Sequence, residues 1–275
     1  MKKFKKTIKE IFEVIRRPEM KILPGNLAFY LVMSIIPIVS LTGFFVSLFS
    51  LSTDSIIEFT RELLPENVFS VLMPFISGGA LSVNNIMLIL IGFYVSSNGA
   101  ASMVTASNHL YKLENKGFFA RRIKALVMTV WLIVLFIFLM VVLAFGNLIM
   151  NWLGTLGGIG EFLTSFWGLF LLIRIVLAFF FVFILIKILY TMAPDMRLKS
   201  KYVTRGSIIA TLGLLLSTTV YSFYVNNIAT YELYASLASI IILVFLIYII
   251  SYTIVLGMAI NQSYYMEETA SIKKK

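Results

Sequence analysis

The chain has 275 residues, with apolar types at 60% and charged residues at 13%, where soluble domains run at roughly 45–50% apolar and about 25% charged. A mean hydropathy of +0.95 excludes an ordinary soluble fold, because surface-to-volume scaling would leave too much apolar surface in water, and makes lipid the expected solvent. The lack of cysteine excludes disulfides, thiolate metal sites and cysteine nucleophiles, while the net charge of +10 admits nucleic acid or an anionic membrane face until the charges are placed.

Residues 1–23 form a basic opening segment. Phe4, Ile8, Ile11, Phe12 and Ile15 recur at helical spacing, with Lys2, Lys3, Lys5, Lys6 and Lys9 around them. The pattern predicts an amphipathic helix on the membrane surface, interrupted at Pro18. A cleavable signal peptide is not expected, because the charged region and the next apolar run are both too long.

Six apolar stretches follow at about the 20 residues that a hydrocarbon core of about 30 Å requires. They are 27–51, 86–107, 124–151, 167–190, 206–225 and 236–260. In lipid such segments must be helical, since each unpaired backbone group costs several kcal/mol. The sequence therefore predicts an all-α membrane domain over 24–262, a bundle of six transmembrane helices, followed by a cytoplasmic tail, 263–275.

Charge sets the orientation. Twenty-one of the 23 basic residues cluster before the first span, between the second and third, around the connection from the fourth to the fifth, and at the end of the chain. Basic residues near span ends stay cytoplasmic, so both termini are expected in the cytoplasm. The basic charge then reads as a topology signal rather than a nucleic-acid surface, and brings contact with anionic lipid headgroups. Between spans one and two, residues 52–85 carry Ile56, Ile57, Phe59, Leu63 and Leu64, broken by Pro65 and Pro74. This predicts an amphipathic outer loop, acting either as a packed cap or as a recognition lid.

Polar residues within the spans nominate a site. Arg174 lies about two turns inside the outer end of the fourth span, at an insertion cost of about 2.5–3.5 kcal/mol if central. It either snorkels to the interface, contacts an anion in a bundle cavity, or pairs with Glu161 or Glu232. In the second span, Gly92, Ser96 and Ala100 have the four-residue spacing of close helix packing. Asn98 and Gly99 alternatively mark a helix break lining a cavity, with Pro37 as a kink at similar depth. Arg174, Asn98, Gly99, Ser96, Pro37 and Ser34 are the candidate cavity or substrate contacts.

The fifth span carries Ser207, Thr211, Ser217, Thr218, Thr219 and Ser222, a type of residue that often bonds back to its own helix. Tyr221, Tyr224, Tyr231 and Tyr234 form a candidate polar cluster at its outer end, read as an interfacial belt or part of a substrate path. His109 is the single histidine and reads as a solvated side chain. No catalytic residue, metal site or cofactor is nominated: there is no phosphate-cradling glycine loop, nucleophile elbow or zinc signature, and no paired carboxylates suit acid–base work.

Several segments together resemble the YihY/BrkB family of bacterial inner-membrane proteins. They are Leu27-Ala28-Phe29-Tyr30 with Ser34 and Pro37; the run from Ala106 to Tyr111, then Gly117-Phe118 and Arg121-Arg122; Tyr190 with Pro194; and Phe223-Tyr224-Val225 through Tyr231, Tyr234, Ser236 and Leu237 to Gly257 and Asn261. The likeness covers nearly the whole chain in the right order. It departs at Ala235 and Ala238, where the family typically has glycine, which weakens any reading of those positions as an essential backbone bend. The resemblance implies a six-helix inner-membrane protein. Members have carried ribonuclease BN and virulence labels, neither of which brings a site to these residues.

The expected function is transport or handling of a small solute or an anionic lipid through an inter-helix cavity, without covalent chemistry. The alternatives are a membrane scaffold or envelope assembly factor and, more remotely, a ribonuclease. Membrane lipids with anionic headgroups are the expected partners, with no nucleic acid, in the bacterial plasma membrane.

Overall fold

The structure, a computed structural model, describes residues 2–48, 83–114, 117–134, 167–227 and 235–273, with Ile57 and Arg61. Among these, side chains are described except at 2–8, 35–48, 83–89, 167–174, 222, 225–227, 235–240 and 272–273. Every regular element among the described residues is a helix: α1 (Lys2–Ile15), α2 (Glu19–Leu48), α3 (Val83–Leu110), α4 (described over 118–134), α5 (Trp167–Met192), α6 (Ser200–Asn227) and α7 (Ala235–Lys273). The all-α expectation holds.

The boundaries follow from local chemistry. Pro18 has no N–H to donate, and the chain breaks there between α1 and α2. The end of α3 turns through Lys112, whose φ of 55° lies in the left-handed region. The Leu113 N–H then reaches back to Asn108 O at 2.8 Å, a wrap typical of helix C-termini. Three helices are long and apolar enough to cross a membrane among the described residues, over Ile175–Met192, Ser200–Tyr221 and Ile241–Ser271. These overlap the predicted fourth, fifth and sixth spans. Of the first three, side chains are described only in part. The outer loop at 52–85 lies outside the described residues apart from Ile57, Arg61 and the start of α3.

Helices α2 and α3 pack together, α7 packs on α6 and α2, and α5 packs on α6. The described core gathers the N-terminal part of α2 (Met20, Leu27), the C-terminal part of α3 (Met103, Val104), the start of α4 (Ala125, Met128), the end of α5 (Leu189) and the latter half of α7 (Met258, Ala259). Outward faces stay apolar: Leu90, Ile175, Phe180, Leu216 and Phe245 are all exposed, as lipid-facing side chains would be. Val14 of α1 is buried while Phe12 is exposed, so the apolar stripe of α1 is divided between the bundle and its surroundings. Arg17, at the elbow after α1, donates to Gln262 Oε1 at 2.9 Å and Ser263 Oγ at 2.8 Å on α7.

Candidate functional site

The α2–α3 contact is built from small residues. Ser34 Oγ lies 2.7 Å from Tyr30 O and 3.2 Å from Ser96 O, so its proton is shared between its own helix and α3. Gly99 faces Leu31 and Ser34 so closely that a Cβ there would sit 3.0 Å from Leu31 Cδ2. Ser96, Ser97 and Ala100 on the same stretch of α3 are buried. Helix α3 runs unbroken through Asn98 and Gly99, so the helix break considered for these residues is absent. Close approach of the two helices is what the small side chains permit. Pro37 and Arg174 fall within α2 and α5, but their side chains lie outside the described residues.

Asn98 points elsewhere. It lines a cavity of about 330 Å³ between α2, α3 and the start of α4, together with Asn26, Tyr30, Tyr94, Ala101, Ser102, Thr105, Phe118, Arg121 and Arg122. Three of these, Tyr30, Tyr94 and Phe118, are 37%, 50% and 57% exposed. The cavity is therefore a lateral cleft, open on the flank of the bundle. Its dominant feature is Arg122. This guanidinium donates from Nη1 to Asn98 Oδ1 at 2.8 Å and from Nη2 to Tyr94 O, and its Cζ lies 3.4 Å from the Tyr94 ring centroid, within cation–π range. Its buried Nε–H has no acceptor among the described residues. An arginine remains charged at any physiological pH, so the cleft wall carries a fixed positive charge.

A second polar centre joins the end of α3, the start of α4 and the loop after α5. Asn108 Nδ2 donates to Asp195 Oδ2 at 2.7 Å, and the Asp195 N–H returns a bond to Asn108 Oδ1 at 2.8 Å. Lys124 Nζ reaches Asp195 Oδ1 at 2.8 Å and the carbonyls of Ala193 and Pro194 at 2.8 and 2.7 Å. The side chains of Asp195 and Lys124 are 4% and 20% exposed. A buried pair of this kind persists only when hydrogen bonds satisfy its remaining groups, and here they do. A wider cleft of about 650 Å³ opens beside it, with Arg197 on its wall.

The third feature is the α6–α7 crossing. A Cβ on Gly206 would lie 2.6 Å from Asn261 Oδ1 and closer still to Gly257 O. The Gly206 N–H donates to Asn261 Oδ1 at 2.7 Å, and the buried Tyr190 hydroxyl of α5 donates to Ile254 O at 2.7 Å. Nearby, Tyr111 and Tyr202 meet the Tyr265 ring edge-on at 5.9 and 5.2 Å. Burial, with Tyr265 adding to it, holds the Tyr111 phenol above the ordinary tyrosine range.

At the far end of α6, Tyr221 is buried and Tyr224 half-buried, while Tyr231 and Tyr234 lie outside the described residues. Ser207, Ser217, Thr218 and Thr219 bond back to their own helix. His109 is exposed. Among the described residues no three of His, Cys, Asp and Glu are grouped to hold a metal.

The structure thus brings Ser34, Ser96 and Gly99 to a packing contact and Asn98 to a cleft. Sequence reasoning passes over Arg122 and Asp195, counting the first among the basic residues that set the topology and giving the second no role. The signals that could have flagged them are Asn108, Arg121-Arg122 and Pro194, all within the segments that resemble a known family.

The chain is 26% identical over 263 residues to the putative ribonuclease-like protein YfkH of Bacillus subtilis (strain 168), a match covering 92% of this chain and 93% of the relative. No solved structure matches it. The family described as Virulence factor BrkB matches residues 11–275. With its long apolar helices and the segments that resemble YihY/BrkB proteins, the chain is a membrane protein and belongs to the BrkB family.

Proposed function

We propose that this is a six-span protein of the bacterial plasma membrane, with both termini cytoplasmic, that moves or holds a small polar solute or an anionic lipid in the cleft between α2, α3 and α4. The observation that carries this reading is the placement of polar groups on an open flank. Asn98 and Arg122 line a cleft whose rim residues, Tyr30, Tyr94 and Phe118, face outward. Polar groups at membrane depth are costly, and they persist where they serve a cavity or one another. A lateral opening suits an amphiphile, which keeps its polar end in the cleft and its tails in lipid.

The orientation rests on the basic clusters, all at the same end of the six-span arrangement. Asn26, Thr105 and Arg121 then lie toward the cytoplasmic leaflet. Binding by shape and charge needs no covalent step, so the protein is read as a non-enzyme. The ribonuclease-like name belongs to the relative, and no constellation among the described residues supports that chemistry here.

Reconstitution tests the reading. Full-length protein in liposomes bearing a fluorescent anionic lipid should speed the movement of that lipid between leaflets, measured by its loss of protection from a membrane-impermeant quencher. Movement no faster than in protein-free liposomes, for anionic lipids and small polar solutes alike, would refute transport and leave a scaffold role.

A further inference from the structure

We infer that Arg122 and Arg121 form a binding site for a phosphate-bearing anion in the α2–α3–α4 cleft, with the Asn98 and Tyr94 contacts acting as a resting clasp that the anion displaces. This rests on the cleft reading above and names the chemistry of its occupant.

Depth is the first argument. Gly99 lies against Leu31 and Ser34 of α2, which are four and seven residues beyond Leu27, where the first predicted span begins. At about 1.5 Å per residue, that contact lies roughly 6–10 Å into the first predicted span, and Arg122, two residues before the third predicted span begins, extends its guanidinium inward to Asn98 beside it. A cation there is costly unless it is compensated.

Compensation is incomplete. Neither Arg121 nor Arg122 forms an ion pair with a described residue. Arg122 relies on an amide oxygen, a carbonyl and a ring face, and its buried Nε–H has no described acceptor. Two adjacent guanidinium groups with no carboxylate paired to them among the described residues leave a positive field at the wall of a low-dielectric cleft. An anion is what such a field lacks.

The remaining lining offers donors. The amide of Asn26 and the hydroxyl of Ser102 line the cleft, and neither has a hydrogen-bond partner among the described residues. Two arginines, an amide and a hydroxyl make the kind of donor set that takes phosphate oxygens, with the planar guanidinium fork matching two of them at once. A volume of about 330 Å³ is at the small end of ligand pockets and suits a headgroup rather than a whole lipid. The same chemistry would accept the phosphate of an anionic phospholipid or a free phosphate ion, and the open flank favours the lipid.

Thermal unfolding of the full chain in zwitterionic detergent tests this directly. Phosphatidylglycerol, phosphatidylcholine, inorganic phosphate and sulfate are each titrated against the wild type, Arg122→Gln, Arg121→Gln and, as a control at an exposed lysine outside the cleft, Lys199→Gln. A ligand that binds the folded state raises the unfolding midpoint in proportion to its affinity. Phosphatidylglycerol should stabilise the wild type and Lys199→Gln equally. Each arginine substitution should weaken it about tenfold or more, the usual scale for one lost charge-assisted hydrogen bond. Arg121 holds no side-chain hydrogen bond among the described residues, so Arg121→Gln keeps the test sound if Arg122→Gln fails to fold. A midpoint that responds to inorganic phosphate as strongly as to lipid identifies a soluble anion as the occupant. Equal binding of phosphatidylglycerol and phosphatidylcholine, or arginine variants that bind like the wild type, overturns the proposal. The liposome assay separates the two readings. Wild-type binding without lipid movement sinks transport and keeps this site, whereas lipid movement undiminished in the Arg121→Gln, Arg122→Gln double variant sinks the site and keeps transport.

Discussion

Replacing Gly206 by alanine puts the α6–α7 crossing to a quantitative test. The added methyl would sit 2.6 Å from Asn261 Oδ1, and closer to the Gly257 carbonyl oxygen. Non-bonded atoms settle at about 3.5–4.0 Å, so the helices must part by about 1 Å or more. The closest obstacle is backbone, which cannot rotate away. Parting the helices also stretches the bond from the Gly206 N–H to Asn261 Oδ1, now 2.7 Å. Overpacking of this kind costs up to about 3 kcal/mol. Alanine recovers about 1 kcal/mol by its better helix propensity, leaving a net loss of about 2 kcal/mol. Two glycines supply the scale. A methyl added to Gly25, in α2, would have no neighbour within 4 Å, so Gly25→Ala should stabilise by up to about 1 kcal/mol. Gly213 would meet the methyl of Thr253 at 2.5 Å, a side-chain atom able to yield, so Gly213→Ala should fall between. The assay is reversible unfolding of the detergent-solubilised protein in a denaturing detergent. A Gly206→Ala variant as stable as the wild type, or a Gly25→Ala variant as damaged as Gly206→Ala, would refute the crossing as described.

Asp195→Ala leaves the Lys124 ammonium buried against two carbonyls, and breaking a buried pair from one side should cost about 3 kcal/mol in the same unfolding assay. The double variant with Lys124→Met should recover part of that loss. Tyr190→Phe removes one buried bond to Ile254 O and should cost about 1 kcal/mol; a loss above about 3 kcal/mol would mean the hydroxyl has a further role. Lys112→Gly relieves a left-handed residue and should stabilise by up to about 1 kcal/mol, unless hydrogen exchange at the Leu113 amide shows that the wrap after α3 has loosened.

The helical architecture was legible because lipid forces it. Apolar length and the position of Pro18 placed α1, α2, α5, α6 and α7 close to where they lie. The end of α7 was not legible. The sixth span reads as ending at 260 and residues 263–275 as a cytoplasmic tail, and the helix runs on through Lys273, past contacts from Arg17 to Gln262 and Ser263 that no local pattern announces. The site divides the same way. Ser96 and Gly99 could be picked out because small residues at a four-residue spacing mark a packing face. The partner of Asn98 could not, because Arg122 lies 24 residues away in sequence and a basic pair near a span end is already explained by topology. Asp195 was opaque for a similar reason: its value comes from Asn108 and Lys124, 87 and 71 residues distant.

The length of α7 has a mechanical consequence. Its 39 residues make a rod about 58 Å long at about 1.5 Å per residue, nearly twice the thickness of a hydrocarbon core of about 30 Å. Gly257 is the fulcrum, because contact with α6 is tightest there, and the rod continues for another 16 residues to Lys273. Over that arm of about 24 Å, a tilt of about 10° swings the tip by about 4 Å. A push delivered to the end of the chain is therefore felt at the glycine contact and, through the packing of α7 on α2 and α3, at the helices that wall the cleft.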